Sequence, residues 1–326
     1  MSQRTITIVL ILVVFGGLAW YINKNYLTPE NSVSSFGNIG KSVVPQAGSD
    51  ALVYVTTGNV REIWLWQEKP RKIFTDSDEA EKIVKLSNLT AGSREVLVIV
   101  NKNPAANSGK LVVINLETGQ KTTLLDEFSV PISWSVSPDG SKIALVKFSN
   151  IEEEYGYTLY LATREGKIEK KLFNSSSEIK SPSWNQLANQ IAFTSTEGLE
   201  SRLQVVDLSS NEISLIKSFS KETIDSLSFQ DRKIIFSRRE VGAKKGEIDL
   251  IDQEAPTISK ILDFQGGVVN FLYSGPDSRN FAYLIAQYGE RLDDKTSGQI
   301  YLADIQTSEE KALAKGSQVL GWLKPR

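Results

Sequence analysis

The sequence predicts an all-β fold, a six-bladed β-propeller closed by pairing of its N- and C-terminal strands and preceded by one N-terminal transmembrane helix. Three observations lead there. Short apolar runs recur along residues 51–326, and no comparably long stretch keeps a 3.6-residue amphipathic period. A unit of aromatic-ended strand, polar turn and apolar strand returns about every 40 to 50 residues, the period of four-stranded propeller blades. The incomplete units at the two ends of this region complement each other.

The first element is Ile6 to Ile22, seventeen residues without a charge, between Arg4 and Lys24. As a helix it spans roughly 25 Å, a little under the hydrocarbon thickness of a bilayer. Trp20, Tyr21 and Tyr26 stand where an interfacial aromatic belt belongs. Residues 1–22 are therefore expected to be a membrane anchor with the N-terminus inside; the rival reading is a cleaved secretory signal. Both export the rest of the chain. Residues 23–50, with Pro29, Pro45 and scattered Asn, Ser and Gly, read as a flexible tether.

Residues 51–326 carry the strands. ALVYV at 51–55, EIWLW at 62–66, EVLVIV at 95–100, KLVVINL at 110–116, KIALVKF at 142–148 and YTLYLA at 157–162 are the clearest. The aromatics Trp134, Trp184, Phe229, Phe271 and Trp322 mark successive first strands, separated by 50, 45, 42 and 51 residues. Upstream, residues 51–74 supply three strands with no first one, and SQVLGWL at 317–323 is a first strand with no successors. Pairing the two closes the ring and removes an exposed edge. Six blades share the 276 residues at about 46 each.

The run from Trp134 to Val146, WSVSPDGSKIALV, resembles the W-S-P-D-G-x-x-I-A-F signature of TolB-type, WD-repeat-like propeller repeats, with a longer spacing after the tryptophan. The Asp-Gly turn is intact in this repeat and degraded at Asn185 to Asn189, Gln230 to Lys233 and Gly275 to Asn280. The resemblance is to the propeller only, with an anchor and tether in place of the α/β domain that precedes it in TolB. It implies fold far more than function.

Composition excludes much chemistry. The chain has no histidine and no cysteine, which removes imidazole bases, the commonest zinc ligands, His-dependent nucleophile systems and disulfides. With 37 basic against 39 acidic residues it carries no positive footprint for nucleic acid. Three Ser-x-x-Lys motifs, at Ser177, Ser214 and Ser218, lack the companion elements of a Ser/Lys hydrolase. Pro138, Asp139 and Gly140 have a structural purpose, a tight turn. Trp64 and Trp66 share one face of their strand and read as packing between blades, the alternative being a platform for stacking sugar. No catalytic residue, metal ligand or cofactor is expected.

Two sets of binding candidates remain. The second-to-third-strand loops Asn101 to Gly109, Ser149 to Gly156, Arg238 to Gly246 and Ala286 to Gly298 are long and emerge on one face. They offer Lys102, Glu152, Glu153, Glu154, Tyr155, Arg238, Arg239, Lys244, Lys245, Tyr288, Arg291, Asp293 and Asp294 as a contact surface. The first strands line the central channel and offer Ser133, Ser183, Asp225, Ser226 and Asn270. Asp225 is their one acid, too few for a glycosidase pair. The acidic loops lack the alternating spacing that wraps Ca²⁺. The expectation is a membrane-anchored extracytoplasmic propeller, periplasmic or extracellular, that binds or scaffolds an envelope protein without catalysis. The alternative is a sensor or enzyme taking a saccharide or Ca²⁺ in the channel.

Overall fold

A computed structural model describes residues 51–56, 62–67, 69–75, 81–89, 94–103, 106–151, 155–286 and 298–323. The expected anchor (1–22) and tether (23–50) lie outside the described residues. Among the described residues no helix is long and apolar enough to cross a membrane.

The strands form six four-stranded antiparallel sheets. Blade 1 orders β24 (Gln318–Leu323), β1 (Ala51–Thr56), β2 (Glu62–Trp66) and β3 (Pro70–Thr75). Blade 2 is β4 (Lys82–Leu89), β5 (Glu95–Asn101), β6 (Ser108–Asn115) and β7 (Lys121–Ser129). Blade 3 is β8 (Ser133–Val136), β9 (Lys142–Ser149), β10 (Gly156–Thr163) and β11 (Ile168–Ser175). Blade 4 is β12 (Ile179–Trp184), β13 (Gln190–Glu197), β14 (Glu200–Asp207) and β15 (Ile213–Ser220). Blade 5 is β16 (Glu222–Gln230), β17 (Lys233–Glu240), β18 (Lys245–Asp252) and β19 (Ile258–Gln265). Blade 6 is β20 (Val268–Ser274), β21 (Asn280–Ala286), β22 (Gly298–Asp304) and β23 (Glu310–Gly316). The ring closes as the unmatched end units require: β24 pairs antiparallel with β1, Leu52 opposite Trp322 and Ala51 opposite Leu323.

Each blade is covered on both faces, which explains why the second strands read as unbroken apolar runs. In β5, Val96, Val98 and Val100 point into a cluster with Val53, Val55 and Leu320 of blade 1. The alternate residues Leu97 and Ile99 pack with Trp134, Ile143 and Leu145 of blade 3. The same period-two division yields one apolar cluster at each of the six blade interfaces. Trp64 and Trp66 join the cluster between blades 6 and 1, beside Tyr54, Leu284 and Ile300.

The Asp-Gly turn has its expected geometry. The Asp139 carboxylate accepts from Ser141 N at 3.1 Å and Ser141 Oγ at 2.7 Å, and Gly140 adopts φ +74°. Two of the three degraded turns keep the geometry by the same device, while in blade 5 Gln230 pairs directly with Lys233 across a two-residue turn. Asn185 Oδ1 accepts from Asn189 N and Gln190 N, and Asp277 Oδ1 accepts from Arg279 N and Asn280 N. Relative to that turn, Trp134 stands two residues earlier than Trp184: Val136, not Trp134, lies opposite Ile143 as Trp184 lies opposite Ile191. Period-two alternation keeps both indoles on the same side of their strands. Phe271 departs further, because it sits in a bulge and is skipped in the β20–β21 pairing.

Candidate functional site

The six first strands β4, β8, β12, β16, β20 and β24 surround a cavity of about 750 Å³ on the ring axis. Backbone edges of these strands face inward, and side chains tie each strand to the next. Asn88 Oδ1 accepts from Val136 N at 2.7 Å, Ser183 Oγ from Phe229 N at 3.0 Å, Ser226 Oγ from Leu272 N at 3.1 Å and Ser228 Oγ from Ser274 N at 2.9 Å. Gln318 Nε2 donates to Leu86 O at 3.3 Å. Backbone amides and a carbonyl are satisfied across blade boundaries in this way.

The sequence places Ser133, Ser183, Asp225, Ser226 and Asn270 on this channel, and all five line the cavity. Their states differ. Ser183 and Ser226 serve as the blade ties just described. Ser133 Oγ is buried without a hydrogen-bond partner. Asp225 is skipped in the β16–β17 pairing, a bulge that leaves its side chain out of ladder phase. Its carboxylate accepts from Arg239 Nε at 2.7 Å and Nη2 at 3.2 Å, and both side chains are almost fully buried. Burial pushes the Asp225 carboxyl upward, against the opposing pull of the Arg239 guanidinium.

The channel also holds a group that the sequence reading passed over. Lys85, on β4, follows the bulge at Val84 and donates from Nζ to Pro131 O at 2.7 Å and to Ile132 O at 2.5 Å. Burial lowers its ammonium to about 8. The signal was the lysine inside the apolar first strand KIVKL. Bulges also interrupt β12, β20 and β24, and two non-glycine wall residues adopt left-handed backbone, Ser181 at φ 51° and Phe271 at φ 54°. Each such residue costs about 1–3 kcal/mol, a strain typical of binding-site walls. Asp225 and Lys85 are the two charged side chains among the residues lining the cavity. Among the described residues no three potential metal ligands converge.

On the loop-rich face, Glu152, Glu153, Glu154, Tyr288, Arg291, Asp293 and Asp294 lie outside the described residues. Lys102, Tyr155, Lys244 and Lys245 are exposed. Arg238 and Arg239 are turned inward. Arg238 Nε meets Asp249 Oδ2 at 2.5 Å, Nη1 meets Glu222 Oε2 at 2.9 Å, and Nη2 meets Glu247. Its guanidinium also lies over the Phe219 ring at 5.7 Å. It is the hub of a blade-5 ion network, and Arg239 pairs with the channel residue Asp225.

Apolar residues supply what those arginines do not. Of the large apolar side chains exposed among the described residues, Ile132, Phe148, Ile151, Tyr155, Leu199 and Val241 fall on the loop-rich face. Ile168 and Leu187 fall on the opposite face, and Leu125 and Leu215 on outer strands. Phe148 packs edge-on to Tyr155 at 5.7 Å and against Tyr157 at 5.0 Å. The glycines ending the four long loops are fixed by close approach. A Cβ on Gly109, Gly156, Gly246 or Gly298 would stand 2.2–2.5 Å from a carbonyl oxygen of a neighbouring strand.

No family model matches the chain. No curated protein matches it either. Among solved structures it is similar to TolB from Acinetobacter baumannii, at 16% identity over 87% of this chain and 68% of that one, with a TM-score of 0.62. It is similar to a chain of a nidogen/laminin complex, at 11% identity over 84% of this chain and 97% of that one, TM-score 0.59. A structure assigned as TolB from Agrobacterium tumefaciens gives 13% identity over 83% and 94%, TM-score 0.57. At such identities the likeness is one of fold, and the fold is the TolB-like six-bladed propeller that the repeat signature implies.

Proposed function

We propose that this TolB-like six-bladed propeller is a non-catalytic protein-binding module of the cell envelope, with its loop-rich face as the contact surface. In this reading residues 6–22 anchor the chain in the membrane and the propeller stands on the extracytoplasmic side. The observation that carries it is the apolar exposure on three consecutive blades, Phe148, Ile151 and Tyr155 on blade 3, Leu199 on blade 4 and Val241 on blade 5. Single exposed apolar residues are ordinary on a protein surface, whereas a run of them along one face marks an interaction site. Burial recovers about 25 cal/mol for each Å² removed from water. The exposed Lys244 and Lys245 beside Val241 suit a polar rim. The absence of catalysis is supported by the state of the channel, where Asp225 is held by Arg239 and Lys85 by two carbonyls.

The test uses the full chain as bait against solubilised envelope of its own organism, beside a variant carrying Ile151→Ser, Tyr155→Ser and Val241→Ser. One envelope protein retained by the parent and lost with the variant, at unchanged circular dichroism, is the expected result. Equal retention by both overturns the assignment of this face.

A further inference from the structure

We propose that Arg239 is a strut between the channel wall and the loop-rich face: it positions the loop 241–245, so that Asp225 in the channel governs how Val241, Lys244 and Lys245 are presented to a partner. The proposal rests on the reading of that face as the contact surface.

The strut starts at an irregularity in the sheet. In the pairing of β16 with β17, Thr223 lies opposite Arg239, Ile224 opposite Arg238 and Ser226 opposite Ser237, so Asp225 is an extra residue. A bulge re-aims a side chain, and this one brings a carboxylate onto an arginine whose ladder partner is a threonine. The backbone of the bulge is fixed from the neighbouring blade. Ser181 Oγ, on left-handed backbone at φ 51°, donates to Asp225 O at 3.3 Å.

The guanidinium works in two directions. Nε at 2.7 Å and Nη2 at 3.2 Å donate to the Asp225 carboxylate, while Nη1 donates to Ala243 O at 3.1 Å. A planar fork fixes these directions together, which a single ammonium nitrogen on a flexible stem does not. The side chains of Arg239 and Asp225 are 9% and 6% exposed. A buried ion pair adds little net stability over a well-packed apolar pair of the same volume. What it adds here is direction, because it sets where Ala243 O stands.

The loop is shaped to take that direction. Its ends are pinned by backbone bonds, Val241 N to Lys221 O at 3.1 Å and Gly266 N to Lys244 O at 2.8 Å. Between them Gly242 adopts φ +84°, and a Cβ there would have no atom within 4 Å. Packing therefore does not hold this apex, and the Arg239 bond to the next residue does. Val241 is 62% exposed, and Lys244 and Lys245 are exposed beside it. Holding a contact loop in place beforehand removes its ordering cost from association.

The test is hydrogen–deuterium exchange, read by mass spectrometry, on the full chain and on Arg239→Lys and Asp225→Asn. Arg239→Lys keeps the charge against Asp225 but has one nitrogen for both acceptors. In each variant the amides of 241–245 are expected to exchange at least about tenfold faster, with those of β5 in blade 2 unchanged. If Asp225→Asn does not fold, Arg239→Lys, which retains the buried charge pair, decides. Unchanged exchange at 241–245 in Arg239→Lys, or an equal rise in β5, overturns the strut. A rise in Arg239→Lys with none in a folded Asp225→Asn overturns the control from the channel. The envelope capture described above is then repeated with Arg239→Lys, which should retain less partner than the parent. Equal capture despite a loosened loop overturns the presentation step. A failure of the contact surface itself shows elsewhere, as capture unaffected by the triple serine variant, and leaves the exchange result standing.

Discussion

The indole N–H of Trp184 donates to the backbone carbonyl of Ser135 at 3.1 Å, 49 residues back along the chain. Trp134 makes the equivalent bond to Leu86 O at 3.0 Å across 48 residues. At these two positions the sequence period is a physical bond between blades, in which Trp134 and Trp184 fill the interface and satisfy a carbonyl of the first strand before.

Trp184→Phe keeps most of the ring and removes the donor, leaving a buried carbonyl one partner short. The expected cost is about 1–3 kcal/mol. Trp322→Phe removes a donor that bonds nothing, so a smaller loss is expected. Urea denaturation of the two variants, read as midpoint at unchanged slope, distinguishes them.

Gly246→Ala places a methyl 2.2 Å from Arg238 O and 2.7 Å from the Phe264 ring. Backbone must shift, at a cost of about 1–3 kcal/mol. Lys244→Ala, on the exposed part of the same loop, should change stability by no more than about 0.5 kcal/mol. Thermal melts of the pair test whether the loop-ending glycine is set by packing.

Arg239→Met strands the buried Asp225 carboxylate, and a loss of about 3–5 kcal/mol follows from breaking a buried pair on one side. Adding Asp225→Asn to that variant should restore part of it, since the uncompensated charge is gone. A double-mutant cycle on denaturation free energies gives the coupling. Additive losses would contradict the pairing.

Burial holds the Lys85 ammonium at about 8, against about 10.4 for a lysine in water. Between those values the unfolded chain binds more protons than the folded one, so this residue makes stability rise with pH there. Below the lower value both states are protonated and the slope vanishes. The stability of the parent minus that of Lys85→Met should be level up to about neutral pH and climb through the window above it. Melts of both proteins from neutral to alkaline pH check the sign.

Blade count, closure and turn chemistry were legible because each rests on local pattern: aromatic spacing, two incomplete end units, and Asp or Asn placed to bond its own turn. The inward set of Arg238 was not, because Glu222, Glu247 and Asp249 meet it only through cross-strand pairing inside blade 5. Phe271 looked like a repeat anchor by spacing, and the bulge that displaces it depends on left-handed backbone that the residue type does not announce. Lys85 sat in plain view within KIVKL, but an amine among apolar residues becomes informative only once its neighbours are known to be carbonyls. The apolar face escaped for the opposite reason. Phe148 and Ile151 read as strand and loop filler until their exposure places them together.

The pairing of Ala51 with Leu323 means that the chain enters and leaves the ring side by side. In a meander, β1 as a second strand begins, and β24 as a first strand ends, on the side of the Asp-Gly turns. A resin or a fused reporter joined to either terminus of the ring thus takes hold from behind. Whatever grips the molecule there leaves Phe148, Ile151 and Tyr155 directed outward, so immobilisation orients the ring like a dish on a stalk with its patterned side toward arriving partners.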